Sequence, residues 1–307
     1  MSTQPPPGSA PDQRAPVTLP RIAEMKRVGE PIVMVTAYDY PSAQIVDEAG
    51  VDIVLVGDTA AMVVLGHSAT TPVGMEEMLM MASAVRRGLE RPLLIGDMPF
   101  GSYESSNEQA IENAQRFVKE AGCEAVKLER GGPSVDRARA IVRSGIPVMG
   151  HVGLTPQTAT ALGGFKAQGR TAEAAAKLTE EALALQSVGC FAIVFEAIPS
   201  AVTEAILPKL EIPVIGIGAG PATDGQVLVL HDLLGVYAGH KPKFVKRYAN
   251  VREVALNGLR EYAEEVRARR FPKEDEHTYS IPQEELEEFA RYLEEEALVG
   301  TDTPWDW

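Results

Sequence analysis

The chain alternates between short apolar runs and longer segments in which apolar and polar residues are mixed. Most of the runs are continuously apolar, which is typical of strands that are covered on both faces. Seven of them predict β-strands at residues 32–38, 52–58, 92–98, 125–129, 147–152, 192–197 and 213–218. An eighth strand is expected within residues 226–230, where the VLVL sequence is also compatible with a short helix.

Helices are predicted between these strands at residues 42–49, 107–121 and 171–188. A glycine follows each of the three, and such a glycine commonly ends a helix. Alternating strands and helices imply a parallel sheet with right-handed crossovers. Eight such units predict an α/β fold of the (β/α)8 TIM-barrel type, and an open doubly wound sheet is the alternative.

We expect residues 21–270 to form a single catalytic barrel domain, because α/β barrels commonly reach about 250 residues as one unit. Residues 1–20 contain six prolines and predict a disordered tail. Residues 271–307 form an acidic extension with a helix expected at residues 283–298, after a polar helix at 251–270. The extension is either solvated or an oligomer contact, since Trp305 and Trp307 are costly to leave exposed.

Composition narrows the possible function classes. The formal net charge of −14 argues against nucleic acid and anionic membranes as partners, because both require a basic surface. Cys123 and Cys190 are the only cysteines, so neither a disulfide framework nor a zinc site is expected. Apolar runs are too short to span a membrane, and the N-terminus lacks the apolar core of a signal peptide. We therefore predict a cytoplasmic protein.

Ionisable residues end five consecutive predicted strands, where parallel α/β enzymes place their chemistry. They are Asp58, Asp97, Lys127 with Glu129, His151 and Glu196. Neighbouring strands lie about 4.8 Å apart, so the carboxylates of Asp58, Asp97 and Glu129 should converge. Converging carboxylates repel unless a cation intervenes, and oxygen ligands favour Mg²⁺. Salt-bridged strand ends, such as Asp97 with Arg91, are the alternative.

The other three side chains suit roles around such a metal. Lys127 lies two residues before Glu129 and so on the same strand face, where its ammonium could bind a substrate carboxylate or simply pair with the acids. Glu196 follows the apolar FAIVF run, which would raise its pKa and suit a general base, unless the backbone satisfies it. For His151 we favour a role in which it orients either a metal-binding side chain or the substrate.

Two glycine-rich stretches remain. GIGAG at residues 216–220 is not a dinucleotide-binding motif, because Pro221 stands where the third glycine is needed, and close backbone packing is expected instead. GGFKAQGR at residues 163–170 is either an active-site lid or an ordinary surface loop.

In this order, the motifs resemble the ketopantoate hydroxymethyltransferase family over about residues 20–270. Among them are VGDT, GDMPF, VKLERGG, GHVGLTPQT, GGFKAQGR and FEAIP. The resemblance implies a (β/α)8 barrel, a homodecamer and Mg²⁺. It also implies transfer of a one-carbon unit from 5,10-methylenetetrahydrofolate to 3-methyl-2-oxobutanoate, giving 2-dehydropantoate in pantothenate biosynthesis.

The resemblance also implies roles for individual residues. Asp58 and Asp97 would bind the metal directly, and Glu129 would complete the metal site directly or through water. The expected substrate contacts are Asp58, Thr59, Asp97 and Lys127. Two positions depart from the family: Thr59 stands where Ser is common, and Phe165 stands where Tyr is frequent.

Our hypothesis for the reaction is that Glu196 removes the C3 proton of the 2-oxo acid. Mg²⁺ and Lys127 would stabilise the enolate, which attacks the methylene carbon carried by folate. A Mg²⁺-dependent 2-oxo acid lyase of the phosphoenolpyruvate mutase/isocitrate lyase type is an alternative, although its nucleophilic-cysteine loop is absent. A third possibility is a non-catalytic scaffold barrel.

Overall fold

The computed structural model describes residues 15–132, 134–239 and 242–297. Eight parallel strands close into a barrel in sequence order, and the eighth pairs with the first. The predicted TIM-type barrel is therefore confirmed, and the open sheet is excluded. The strands are β1 Ile32–Thr36, β2 Ile53–Val56, β3 Leu93–Asp97, β4 Ala125–Lys127, β5 Val148–Gly153, β6 Ala192–Glu196, β7 Val214–Ile217 and β8 Gly225–Leu228.

Helices connect the strands on the outside of the barrel. The three predicted helices are present, with ends that differ by at most two residues from the predicted ones. Six further helices up to β8 and just beyond it, at residues 19–28, 60–63, 75–88, 134–143, 200–206 and 230–234, were not predicted. The helices up to β8 and just beyond it are α1 Leu19–Val28, α2 Tyr40–Glu48, α3 Ala60–Val63, α4 Met75–Gly88, α5 Asn107–Lys119, α6 Ser134–Arg143, α7 Ala172–Ser187, α8 Ser200–Ile206 and α9 Leu230–Leu234.

The first helix begins inside the segment that we predicted to be a disordered tail. Thr18 caps α1 by accepting a hydrogen bond from the backbone N–H of Arg21. Ile22 and Met25 of α1 are buried in the apolar cluster of the barrel interior. The helix precedes β1 directly, so it covers the amino-terminal end of the barrel and leaves the carboxyl ends of the strands open. The part of the predicted tail before residue 15 lies outside the described residues.

A second apolar cluster fills the layer between the strands and the surrounding helices. Gly96 on β3 shows how closely a helix approaches there, because a Cβ at that position would lie 2.3 Å from Cδ1 of Phe117 on α5. With both faces of the strands buried, the charged residues at the strand ends have only the open end of the barrel to occupy.

The chain divides into two compact units after Asn250. The polar helix α10, Val251–Arg267, therefore belongs to the second unit and not to the barrel domain in which we had placed it. This unit also contains α11 Glu274–His277 and α12 Gln283–Ala297. The side chains described on α12 are exposed, including Leu286 and Phe289. Trp305 and Trp307 lie outside the described residues.

Among the residues that the structure describes, no helix combines the length and apolar character that a membrane span requires.

Candidate active site

A cavity of about 50 Å³ opens at the carboxyl ends of the strands. Its lining includes every side chain that we proposed for the site: Asp58, Thr59, Asp97, Lys127, Glu129, His151 and Glu196. The convergence expected from the strand ends is therefore present.

Lys127 lies among the three buried carboxylates. Its Nζ is 2.6 Å from Oδ1 of Asp97 and 3.7 Å from Oε1 of Glu129. Oδ2 of Asp97 accepts the backbone N–H of Asp58 at 3.1 Å. The alternative pairing of Asp97 with Arg91 is wrong, since Arg91 lies 3.4 Å from the carboxylate of Asp47 on α2. Lys127 thus holds two of the acids, as expected from its position on the same strand face as Glu129.

The pKa values of the buried carboxyl groups shift in different directions. Burial, followed by the charges of Asp97 and Glu129, raises the pKa of Asp58 well above its usual value. Burial works against the charged form of Glu129 as well, but His151, Lys127 and the N–H of Gln157 outweigh it and lower the pKa of Glu129. Asp58 is therefore the carboxyl whose negative charge its neighbours compensate least.

His151 lies between two of the acids. Its Nδ1 lies 3.5 Å from Oε1 of Glu129, and its Nε2 lies 3.2 Å from Oε2 of Glu196. Burial and the charge of Lys127 disfavour the imidazolium, yet these two carboxylates outweigh both and raise the pKa of His151 to about 9. From the apolar run before Glu196 we had expected apolar surroundings for its carboxylate. In the structure the carboxylate faces the imidazole of His151.

The hydroxyl of Thr59 is held by a tyrosine that the sequence did not single out. Oγ1 of Thr59 lies 2.7 Å from the hydroxyl oxygen of Tyr38, close enough for a hydrogen bond in either direction. The bonded atom is the one that Thr shares with Ser. The additional methyl group of Thr59 therefore leaves this contact intact.

Gln157 and Tyr103 were also missed, and both are buried within the site. The carboxamide of Gln157 contacts Asp58, and its backbone N–H contacts Glu129. The hydroxyl of Tyr103 contacts Gln157. Gln157 could have been found, because it belongs to the GHVGLTPQT motif, whereas nothing in the local sequence marks Tyr103.

The backbone turns sharply just after two of the carboxylates. Arg130, which follows Glu129, has φ of 77°, and Ala197, which follows Glu196, has φ of 50°. For a residue other than glycine this left-handed conformation costs about 1 kcal/mol. Their N–H groups donate to His151 O and Ile217 O on the neighbouring strands, so the surrounding sheet holds both turns in place.

The glycines of the 216–220 stretch pack closely, as predicted. A Cβ at Gly218 would lie 2.7 Å from Cδ1 of Phe244, and one at Gly220 would lie 2.3 Å from Oγ of Ser200.

In the 163–170 loop, the N–H of Gln168 donates to Ala197 O at 2.9 Å, which ties the loop to the end of β6. Phe165 in this loop is exposed.

Whether these residues fit Mg²⁺ can be judged from their donors and charges. Within the described part of the chain, no three His, Cys, Asp or Glu side chains are arranged to hold a metal ion by themselves. Mg²⁺ does not need such a set, since one or two carboxylates with water and substrate oxygens suffice. Oδ1 of Asp58 accepts no hydrogen bond from the described residues, whereas both oxygens of Asp97 do.

The charge balance supports the same conclusion. The carboxylates of Asp58, Asp97, Glu129 and Glu196 line the cavity together with one ammonium and one imidazole. With all four carboxylates ionised and the imidazole protonated, two negative charges remain uncompensated, which one divalent cation would match. The donor types and the net charge are therefore compatible with a divalent cation among Asp58, Asp97 and Glu129.

Comparison with known proteins gives consistent results. Residues 16–274 match the profile of the family described as ketopantoate hydroxymethyltransferase. The mitochondrial 3-methyl-2-oxobutanoate hydroxymethyltransferase 1 of Arabidopsis thaliana is 52% identical over 290 residues, which cover 92% of this chain and 83% of that protein. The 3-methyl-2-oxobutanoate hydroxymethyltransferase of Heliobacterium modesticaldum is 52% identical over 268 residues, 87% of this chain and 97% of that protein.

Solved structures at much lower identity share the fold. Phosphonopyruvate hydrolase in complex with oxalate and Mg²⁺ aligns with a TM-score of 0.56 at 14% identity, covering 91% of this chain and 98% of that one. For 2,3-dimethylmalate lyase the TM-score is 0.54 at 15% identity, with 92% and 98% covered. At such identities the likeness concerns the barrel alone.

Proposed function

The chain belongs to the ketopantoate hydroxymethyltransferase family, and on that premise we propose that it converts 3-methyl-2-oxobutanoate to 2-dehydropantoate for pantothenate biosynthesis. The one-carbon donor is 5,10-methylenetetrahydrofolate, and the enzyme is a transferase. The observation that supports this most is a single cavity in which two aspartates, a buried lysine and Glu196 all face the same space.

The cavity has a charged side and an apolar side, which suit the two ends of this substrate. Charged side chains come from β2 to β6, whereas the walls contributed by β6, β7 and β8 include Val194, Ile217 and Val227. A 2-oxo acid with a branched alkyl group has a polar end and an apolar end. We therefore assign the carboxylate and keto oxygens to the charged side, and the isopropyl group to the apolar side.

Asp58, Asp97 and Glu129 form the proposed metal site, with Asp58 and Asp97 as direct ligands. Bound Mg²⁺ would supply Lewis-acid polarisation of the two substrate oxygens, which makes the adjacent C–H more acidic. Lys127 places an ammonium beside Asp97, where it would stabilise the negative charge that develops on the keto oxygen. Thr59, whose hydroxyl is held by Tyr38, would hydrogen-bond the substrate carboxylate.

Glu196 is the proposed general base. Its side chain is partly exposed to the cavity, and its Oε2 faces Nε2 of His151, which would orient the carboxylate. Glu196 takes the C3 proton, the electron pair of that C–H bond forms the C2=C3 bond, and the pair of the keto C=O bond moves to its oxygen. As the C=O bond re-forms, C3 bonds to the methylene carbon of the donor and one of the two C–N bonds of that carbon breaks. Water replaces the second C–N bond with the C–OH bond, and the two nitrogens of the departing tetrahydrofolate take one proton from water and the one held by Glu196.

Two further proposals concern the protein as a whole. The family resemblance leads us to propose a homodecamer. Cys123 and Cys190 are both free and buried, which supports a reducing compartment such as the cytoplasm.

The test is formation of 2-dehydropantoate by the purified chain, followed by mass spectrometry. We expect product only when 3-methyl-2-oxobutanoate, methylenetetrahydrofolate and Mg²⁺ are all present. Glu196→Gln should abolish it, whereas Glu204→Gln, the same change on the exterior helix α8, should not. Absence of product from the complete mixture would overturn the proposal, and cleavage of a 2-oxo acid without folate would favour the lyase.

A further inference from the structure

We propose that Tyr103 and Gln157 are positioning residues that fix the orientation of the Asp58 carboxylate for metal binding. This inference rests on the proposed function, because it assigns Asp58 to the metal site. Neither residue donates to or accepts from substrate in the proposed reaction, and both would act through the carboxylates that they contact.

Gln157 connects the ends of three strands. It lies in a single 3₁₀ turn, Pro156–Thr158, that follows β5, and its side chain is buried. Its Nε2 donates to Oδ2 of Asp58 at 3.0 Å and to the carbonyl oxygen of Met98 at 2.9 Å. Its backbone N–H donates to Oε2 of Glu129 at 3.0 Å. One residue therefore holds two of the three acids of the proposed metal site.

The buried hydroxyl of Tyr103 holds the oxygen end of the Gln157 carboxamide, opposite the NH₂ end that Asp58 and Met98 hold. The backbone N–H of Glu129, which can only donate, points to the Tyr103 oxygen at 3.3 Å. The single hydroxyl hydrogen is then available for Oε1 of Gln157, 2.6 Å away. The amide oxygen must therefore face Tyr103, and the NH₂ group must face Asp58.

This directional chain of hydrogen bonds determines which oxygen of Asp58 is left for the metal. It gives Oδ2 of Asp58 a neutral donor and leaves Oδ1 as the oxygen that accepts nothing from the described residues. Without the Tyr103 hydroxyl, the N–H of Glu129 and the amide oxygen of Gln157 both lose their partner. The amide is then held only at its NH₂ group, by Asp58 and Met98, so Gln157 fixes the Asp58 carboxylate less firmly. Loss of such an outer partner typically weakens metal binding by about 10-fold to 100-fold.

The decisive measurement is the Kd of Mn²⁺, as a spectroscopic substitute for Mg²⁺, determined by electron paramagnetic resonance on the full chain without substrate. We expect Tyr103→Phe to raise the Kd by about tenfold. The matched control is Tyr237→Phe, which removes a hydroxyl that donates to Asp232 at 3.0 Å, outside the cavity, and should leave the Kd unchanged. Turnover by Tyr103→Phe should recover when Mg²⁺ is raised to saturation, because affinity is what the variant loses.

Thermal unfolding of each variant separates positioning from general stability. If Tyr103 has only a structural role, Tyr103→Phe lowers Tm without changing the Mn²⁺ Kd, and that result would overturn the inference.

Gln157→Glu provides a second test if Tyr103→Phe does not fold. It keeps the shape of the side chain but places an oxygen against Asp58, so we expect at least a tenfold loss of Mn²⁺ affinity, and unchanged affinity would refute the inference.

The proposed function and the inference can fail separately. A wild-type chain that binds Mn²⁺ but forms no 2-dehydropantoate overturns the function, while the comparison of Kd values still stands. A wild-type chain that is active, with variants that bind Mn²⁺ equally well, overturns only the inference. A wild-type chain that binds no Mn²⁺ overturns both the proposed metal site and the inference.

Discussion

Replacing Lys127 with Met tests whether its ammonium is what allows three buried carboxylates to lie together. The substitution removes the charge and keeps a side chain of similar length. Nζ lies 2.6 Å from Asp97 and 3.7 Å from Glu129, and the Lys127 side chain is only 4% exposed. In the variant Asp97 loses its closest cation, Glu129 keeps only His151, and both carboxylates remain buried.

The size of the effect follows from this burial. Two unit charges 4 Å apart attract by about 4 kcal/mol at an effective dielectric constant of about 20. Removal of one partner from a buried pair costs about 3–5 kcal/mol, because the other charge is left uncompensated. At roughly 2–4 °C per kcal/mol for a domain of this size, we expect Tm to fall by about 6–20 °C.

Lys26→Met is the matched control for this substitution. Its Nζ lies 2.7 Å from Oδ2 of Asp224, but the two side chains are 18% and 20% exposed, so solvent screens this pair more than it screens Lys127. We therefore expect a smaller loss of stability in Lys26→Met than in Lys127→Met. Thermal and urea unfolding in EDTA would measure both variants, and Mg²⁺ should then restore more stability to Lys127→Met than to Lys26→Met. Equal losses in the two variants would refute the role that we assign to Lys127.

Two further predictions concern the backbone and the cysteines. Ala197→Gly should leave the free energy of unfolding unchanged or raise it by up to about 1 kcal/mol, because glycine relieves the left-handed strain. Ala176→Gly, on the exposed face of α7, should lower the free energy of unfolding by about 1 kcal/mol, because glycine is less favourable than alanine within a helix. Urea unfolding checks both, and an equal loss at the two positions would argue against strain after Glu196. Burial raises the pKa of the Cys123 and Cys190 thiols to about 12, so iodoacetamide at pH 8 should label neither until the protein is unfolded. Rapid labelling of the native protein, detected by mass spectrometry, would contradict that burial.

The barrel and the members of its site could be predicted because both depend on short-range patterns. Each strand is a nearly continuous apolar run, and the first charged residue at its end, such as Asp58 or Asp97, marks where the chain leaves the core. Helices with a clear start and a following glycine were equally visible. By contrast, the residue before α4 is Gly74, which has no side chain to cap a helix, and this explains why that helix was missed.

The contacts within the site could not be predicted, because they join residues far apart in sequence. Gln157 reaches Asp58 across 99 positions, and Tyr103 reaches Gln157 across 54. A strand end shows where a side chain lies along the barrel axis but not which neighbour it faces. The apolar FAIVF run before Glu196 did not reveal that the carboxylate faces His151, because His151 belongs to the adjacent strand.

Deuterium exchange at C3 of 3-methyl-2-oxobutanoate tests the assignment of Glu196 most directly. The substrate is incubated with enzyme and Mg²⁺ in D₂O without folate, and loss of the C3 proton signal is followed by NMR. We predict exchange with the wild-type chain and with Glu204→Gln, and none with Glu196→Gln, although calorimetry should show that this variant still binds the substrate. Exchange at the wild-type rate in Glu196→Gln would contradict the proposed role of Glu196 as the base.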